Sequence, residues 1–342
     1  MRPISRIETL IRDVPDDLLL AASSFEERSV GAVRLLGASY RCRLALLVHV
    51  DSSTSQAGEE RKRRFSGELY ERLSKSALSG RAEVCPAAPH SPFPLWNNVR
   101  TALRREGRGR DAVTVTIDIS CLTRIQNLFL LRNLMLEPNI GSIRVVYSVP
   151  TLYFTESALT KELSAGYSEV VRFPFEIGQP ESAPVGTAQV FQRAAFVIVG
   201  HEGDRTLNIW RSLDVERTVV FRVNSSDTRR VNMTNRRNEF LLRRCRQGDP
   251  SFHLLEVPWT RIEAAEEWFD HALSLVRDDG VGEVNFIPFG PKPVLVAICN
   301  WTLGHPELRI NIAYSTPAFY YGLYSRGIRE VQEAVWSRPS VA

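Results

Sequence analysis

Asp17-Leu18-Leu19-Leu20-Ala21-Ala22-Ser23-Ser24-Phe25-Glu26-Glu27-Arg28-Ser29 begins as an apolar run and ends in a charged turn. A short continuous apolar run without alternation is the pattern of a strand buried on both faces, as in a parallel sheet. The turn has a degenerate copy further along the chain. Ala22-Ser23-Ser24-Phe25-Glu26-Glu27-Arg28-Ser29 is matched by Val199-Gly200-His201-Glu202-Gly203-Asp204-Arg205-Thr206. Both hold a Glu, an Arg two or three residues later, and then a hydroxyl side chain.

Two more pairs follow in the same order. Val146-Tyr147-Ser148-Val149-Pro150 corresponds to Ala313-Tyr314-Ser315-Thr316-Pro317, with Tyr153 and Tyr320 shortly after. Ser164-Ala165-Gly166 corresponds to Ser325-Arg326-Gly327. Ordered matches of this kind indicate a duplicated unit.

Strands alternate with helices through both copies. In the first, 17–22, 43–50, 82–85, 112–119 and 143–149 read as strands, and 29–36, 58–76, 95–105 and 122–136 as helices. In the second, 194–199, 218–223, 252–257, 283–287 and 308–314 read as strands. Between them, 206–213, 236–246, 262–276 and 294–303 read as helices. Strand–helix alternation implies parallel sheets with helical crossovers. The expected class is therefore α/β, with two tandem Rossmann-like halves and mostly parallel, doubly wound sheets. The halves are expected at 1–174 and 191–342. The Pro- and Gly-rich stretch 175–190, with Pro180, Pro184, Gly178 and Gly186, is expected to link them.

Composition excludes several classes. The 342 residues are 44% hydrophobic and 24% charged, an ordinary globular balance. The longest apolar runs, such as 18–22 and 294–299, are too short to span a bilayer, and charges interrupt the first twenty residues. A cytoplasmic protein without membrane contact is expected. Cys42, Cys85, Cys121, Cys245 and Cys299 form no metal-spaced cluster, so they are expected to be buried thiols, with no metal and no cofactor. The net charge is only +4, but cations cluster at 61–64, 104–110 and 229–246. Such runs form either solvated helix faces or a phosphate-binding surface, and charge alone does not separate the two.

In an open parallel sheet, ligands bind beyond the carboxyl ends of the strands, near helix N-termini. That rule selects four loops, at 23–28, 119–124, 200–205 and 288–293. In Asp118-Ile119-Ser120-Cys121-Leu122-Thr123-Arg124, Ser120 and Thr123 supply N-cap oxygens and Arg124 lies in the first helical turn. A cation there opposes the helix dipole, which is easier to understand if it meets an anion. Pro288-Phe289-Gly290-Pro291-Lys292-Pro293 repeats the arrangement, with Gly290 allowing close backbone approach and Lys292 at the helix start. Glu26, Asp118 and Glu202 are the candidate catalytic carboxylates, and His201 a candidate base. Ser24, Arg28, Ser120, Thr123, Arg124, His201, Arg205, Gly290 and Lys292 are the candidate ligand contacts. Tyr147, Tyr153, Tyr314, Tyr320 and Tyr321 are candidates for stacking on bases, although packing is the commoner role of such rings. Structural alternatives stand beside each: N-capping for 118–124, a rigid proline turn for 288–293, and local Glu–Arg pairing for the two charged turns. There is no GxGxxG, P-loop, HExxH or GxSxG sequence.

The loop 118–124, with Asp118, Ser120, Thr123 and Arg124, and the loop with Gly290 and Lys292 resemble the ligand loops of CRISPR-associated Rossmann-fold (CARF) domains and the related SAVED sensors. In those families a strand ends in a D-x-[ST]-G-G-[TS]-K-like turn. This chain lacks both glycines at 118–124 and has Arg in place of Lys. The resemblance implies a nucleotide-sensing module of a prokaryotic antiviral defence system that holds a nucleotide or cyclic oligonucleotide between the two halves. It also implies a separate effector protein as partner and room for an oligomer. Two further functions fit the same residues: an enzyme acting on a nucleotide or nucleoside, and a partner subunit binding nucleic acid through its arginine clusters.

Overall fold

The computed structural model describes residues 2–4, 15–37, 39–106, 112–153, 164–167, 170–175, 192–225, 227–258, 265–277, 280–320 and 325–338. The chain divides into two compact units, Met1–Gly166 with Pro317–Ala342, and Tyr167–Thr316.

The first unit begins with β1 (Arg2–Ile4) and β2 (Asp16–Ala22); a 3-10 turn, Glu27–Val30, runs into α1 (Gly31–Leu36). Then come β3 (Cys42–Val50), β4 (Ser53–Thr54), α2 (Gln56–Ser76), β5 (Glu83–Ala87) and α3 (Pro92–Glu106). β6 (Val113–Asp118), α4 (Arg124–Leu136) and β7 (Ile140–Val149) follow, then the short strands β8 (Leu152–Tyr153) and β9 (Ser164–Tyr167). The second unit holds β10 (Val171–Pro174), β11 (Gln192–Val199), α5 (Gly203–Ser212), β12 (Arg217–Asn224), α6 (Thr228–Arg237) and α7 (Glu239–Arg246). It continues through β13 (Phe252–Pro258), α8 (Ala265–Arg277), β14 (Val281–Pro288), α9 (Val294–Gly304) and β15 (Arg309–Tyr314). The chain then returns to the first unit as β16 (Pro317–Tyr320), β17 (Ser325–Arg326) and β18 (Glu330–Ser337).

The sheet of the first unit has the order β1-β18-β7-β6-β2-β3-β5, and that of the second β10-β15-β14-β11-β12-β13. β5, β3, β2, β6 and β7 are mutually parallel, as are β13, β12, β11, β14 and β15. Each set runs third-second-first-fourth-fifth in chain order, so the direction of winding reverses beside β2 and beside β11. This is a Rossmann-like α/β architecture, present twice.

The edge strands do not respect the repeat. Beyond β7 lies β18, antiparallel to it, and beyond β15 lies β10, also antiparallel. The strand that ends the first repeat is thus in the sheet of the second unit, and the strand that ends the second repeat is in the sheet of the first. A division at 174 and 191 therefore does not describe the units. Residues 317–342 group with the first unit and 171–174 with the second, because an edge ladder groups a strand with the sheet that satisfies its backbone. Residues 176–190 of the expected linker lie outside the described residues, as do 107–110 of one cationic run and 262–264 of an expected helix.

The two cores use different side chains. β2 is buried along its whole length, and Leu19, Ala21, Val33, Leu36, Leu47, Leu69 and Leu73 share one largely aliphatic cluster in the first unit. In the second, Phe196, Phe221, Phe269, Phe286 and Trp301 pack at ring separations of 5.2–6.2 Å, mostly edge to face. Edge-to-face pairs add about 0.5–1.5 kcal/mol each beyond the area they bury.

Local differences from the sequence reading have identifiable causes. The basic helix expected at 236–246 is two helices, broken at Asn238. Asp227 caps the first of them, accepting from the backbone N–H groups of Arg229 and Arg230. The strands β9, β10, β16, β17 and β18 are too short or too irregular in pattern to read from sequence. Cys42, Cys85 and Cys299 are buried, whereas Cys121 and Cys245 are only half-buried. Burial, reinforced by the Asp16 charge, pushes the Cys42 thiol up to about 12. Among the described residues no helix is long and apolar enough to cross a membrane.

Helix α2 is tied to α1 by charge. Arg34 donates to Glu68 through Nε and Nη2, both at 2.8 Å, and Arg72 donates to the same carboxylate at 2.9 Å. These bonds hold the Glu68 carboxyl down at about 2. A carboxyl lowered by folding stabilises the fold above its unfolded value near 4.5 and loses that contribution as pH falls toward 2. Glu68→Gln is therefore expected to be less stable than wild type at pH 7, with the gap closing between pH 4.5 and 2 in urea titrations. A gap independent of pH would refute the assignment. The strand exchange makes a second prediction. Residues 1–190 and 191–342 produced as separate chains are expected to co-purify, because each needs a strand carried by the other. Independent folded fragments would contradict this.

Candidate functional site

The strand-order reversals place the loops after β2 and β6 side by side in the first unit, and those after β11 and β14 in the second. All four loops selected from sequence therefore flank a reversal.

In the first unit the charged turn is an internal node. Arg28 is 4% exposed and reaches the Glu26 carboxylate through Nε at 3.1 Å and Nη2 at 2.6 Å. Its Nη1 donates to the Tyr147 hydroxyl at the end of β7, 3.3 Å away. The Ser325 hydroxyl on β17 donates to the same Glu26 oxygen. The turn is closed locally as well: Ser24 Oγ accepts the Glu26 backbone N–H at 3.2 Å, and Ser29 Oγ donates to the Glu26 carbonyl at 2.9 Å.

The second unit repeats this node with altered parts. Arg205, 2% exposed, donates to Glu202 at 2.6 Å and through Nε to Ser315 Oγ at 3.1 Å. Its guanidinium lies 4.7 Å from the Phe289 ring centre and 4.6 Å from that of Tyr314. Those two rings are themselves stacked 5.8 Å apart. The repeated tyrosine is thus in contact with each buried arginine, and in the second unit the serine that follows it accepts from the arginine as well. Glu26 and Glu202 occupy ion-pair positions, so they hold the turns rather than stand ready to exchange a proton with a ligand.

The loop after β6 is held from several sides. Asp118, 2% exposed, accepts the Ser120 backbone N–H at 2.8 Å. Ser120 does not cap the helix as expected; it is fully buried, and its Oγ accepts the Ser148 N–H of β7 at 2.8 Å. Thr123 is the N-cap, accepting from Gln126 at 3.3 Å, while the Gln126 side chain accepts the Thr123 N–H at 3.0 Å. Thr123 Oγ1 also donates to the Pro89 carbonyl at 3.1 Å. Buried Asn127 donates to the carbonyls of Ile119 and Leu122 at 3.1 and 3.3 Å. Arg124, the first residue of α4, is half-buried.

The loops after β11 and β14 touch backbone to backbone. A Cβ on Gly200 would overlap the Phe289 carbonyl, and one on Gly290 would overlap the Ile198 side chain. Gly290 thus serves close packing within the unit, which is a different role from cradling a phosphate. Helix α9 begins at Val294, so half-buried Lys292 sits in the preceding turn, where its carbonyl accepts the Leu295 N–H at 2.9 Å. His201 Nδ1 is 3.4 Å from Thr234 Oγ1 on α6. Buried Asn238 donates to the Gly200 carbonyl at 2.7 Å and to that of Thr234 at 2.8 Å.

Sequence reasoning missed Asn127, Asn238 and Ser325 as supports of these loops, and gave Phe289, inside the loop 288–293, no role. Tyr320 is half-buried beside Phe25 at 6.4 Å, and Tyr321 lies outside the described residues. Among the described residues no group of three or more His, Cys, Asp or Glu is placed to hold a metal ion.

No family model and no curated protein matches the chain. A putative universal stress protein from Pseudomonas aeruginosa UCBPP-PA14 is similar in structure at 10% identity and a TM-score of 0.24. The match covers 87% of this chain and 92% of that one. Likeness of this degree bears on neither ligand nor activity.

The buried nodes make a stability prediction. Glu202→Ala leaves Arg205 without its carboxylate in a buried site, and removal of one partner of such a pair costs about 3–5 kcal/mol. Urea denaturation of Glu202→Ala is expected to show that loss, and Glu202→Ala/Arg205→Met to recover much of it. Equal losses in both would mean that the pair is not its source.

Proposed function

We propose that the chain is a nucleotide-sensing module of a prokaryotic antiviral defence system, taking a nucleotide or cyclic oligonucleotide at the strand-order reversals. It passes the binding event to a separate effector protein, as the resemblance of its loops to CARF and SAVED sensors implies. The observation that carries the ligand reading is one half-buried cation at corresponding helix starts, Arg124 as the first residue of α4 and Lys292 in the turn before α9. In open α/β sheets the crevice at a reversal is where ligands bind. Cations at a helix start are disfavoured by the helix dipole unless an anion joins them. A phosphate group meets both conditions, since it is drawn by the cation and by the backbone N–H groups at the same helix end.

The rigid surroundings support sensing more than chemistry. Glu26 and Glu202 are committed to Arg28 and Arg205, Asp118 to the turn it closes, and the Ser120 hydroxyl to β7. A loop fixed in this way is organised before its ligand arrives, so little ordering entropy is lost on binding.

The test is thermal denaturation against a panel of mononucleotides, dinucleotides and cyclic di-, tri- and larger oligonucleotides. A ligand present at 100 times its Kd stabilises the folded state by about 2.7 kcal/mol, enough for a clear shift in Tm. At least one member is expected to raise the Tm of the wild type and to do so less in Arg124→Ala or Lys292→Ala. A panel without effect, or variants that respond as the wild type does, would sink the proposal. Chromatography of the same mixtures reads hydrolysis. Turnover abolished by Asp118→Asn would replace sensing by catalysis.

A further inference from the structure

We infer that the exposed face of α6 and α7 binds the phosphate backbone of a nucleic acid, through Arg229, Arg236, Arg243 and Arg246. This inference stands apart from the nucleotide site, because it rests on other side chains of the second unit.

Charge balance separates this surface from the chain's other basic helix. Residues 228–246 hold seven arginines against one glutamate, whereas α2 holds six cations against four glutamates. In α2 two of the six cations are paired, Arg72 with Glu68 and Lys75 with Glu71, and Glu59 and Glu60 lie beside the basic run 61–64. Around α6 and α7, Asp227 pairs with Arg230, Asp249 with Arg244, and Glu256 with Arg222. None of the described ion pairs involves Arg229, Arg236, Arg243 or Arg246, and all four are exposed. Helix dipoles account for cations in the last turns, but not for exposed Arg229 in the first turn of α6.

Geometry organises the four. Arg229 and Arg236 are seven residues apart, two helical turns along one face, about 10 Å in rise. Arg243 and Arg246 share a face of α7 at i, i+3 spacing. The helices pack inward through Met233, Leu241 and Leu242, which are buried. Asn238, at the break between the helices, anchors both to the Gly200 carbonyl, so the face is held in place before a partner arrives.

The chemistry favours a nucleic acid over a lipid surface. Every cation of the segment is arginine, whose planar fork suits phosphate oxygens. A helix lying in a bilayer needs apolar side chains beside its cations, and the exposed large hydrophobic side chains of the described residues, such as Leu78, Val84 and Phe93, all lie outside 228–246.

Fluorescence anisotropy of the full chain with labelled mixed-sequence 20-mers, single-stranded and duplex, RNA and DNA, tests the inference. Four phosphate contacts give a log–log salt slope of about −3.6 on duplex, so affinity is expected to fall about 150-fold between 50 and 200 mM KCl. Arg236→Glu/Arg243→Glu should weaken binding at least 10-fold at 50 mM KCl and flatten the slope. Arg236→Gln/Arg243→Gln should do so to a lesser degree, with thermal stability unchanged in both. Arg63→Glu/Arg64→Glu in α2 should bind as the wild type does. Absence of binding at 50 mM KCl, equal weakening by the α2 variant, or binding confined to phosphatidylserine vesicles would overturn the inference.

Discussion

A guanidinium held at the carboxyl end of each sheet, almost out of contact with water, is the constraint around which both units are arranged. Arg28 and Arg205 are 4% and 2% exposed, and an arginine does not lose its charge at any ordinary pH. Burial on these terms requires a carboxylate in contact and acceptors or ring faces for the remaining N–H groups. Glu26 and Glu202 meet the first requirement. Tyr147 meets the second in one unit, where Ser325 donates to the Glu26 carboxylate; Ser315, Phe289 and Tyr314 meet it in the other. The repeat is therefore most visible in sequence where the buried charge allows the fewest substitutions. Elsewhere the copies have diverged freely, to an aliphatic core in one and an aromatic core in the other.

A second constraint is the sheet edge. Five parallel strands in each unit leave β7 and β15 with an open side, which an antiparallel strand covers. The chain covers each with the last strand of the other repeat. Because β17 lies on the same returning segment as β18, the hydroxyl that completes the Glu26 node comes from a residue 299 positions away. Edge pairing and the buried charge are consequently linked in the first unit, since the segment that closes the edge also delivers Ser325.

Of the loops at the strand-order reversals, all four were legible beforehand, because short apolar runs ending in Ser, Gly, Asp and Pro mark where strands stop. Roles inside the loops were less legible. Ser120 reads as an N-cap and instead bonds across to β7, since Thr123 with Gln126 completes the capping box three residues later. Gly290 reads as a ligand cradle and is a packing glycine against Ile198. Asn127 and Asn238 escaped notice because their partners are backbone carbonyls, which no side-chain pattern announces.

The sequence by itself determined the class of fold and its duplication. Strand periodicity, turn residues and the recurrence of Glu, Arg, Tyr and Ser are all local, and each is set by backbone sterics or by desolvation of single groups. Only the tertiary structure decided which strand completes which sheet, and whether a given arginine is spent inside the protein or left facing water. Those outcomes depend on contacts between residues far apart in the chain, where burial turns a charge into an obligatory pair. Arg28 and Arg229 are indistinguishable as letters. One is neutralised within its fold, and the other remains exposed on α6.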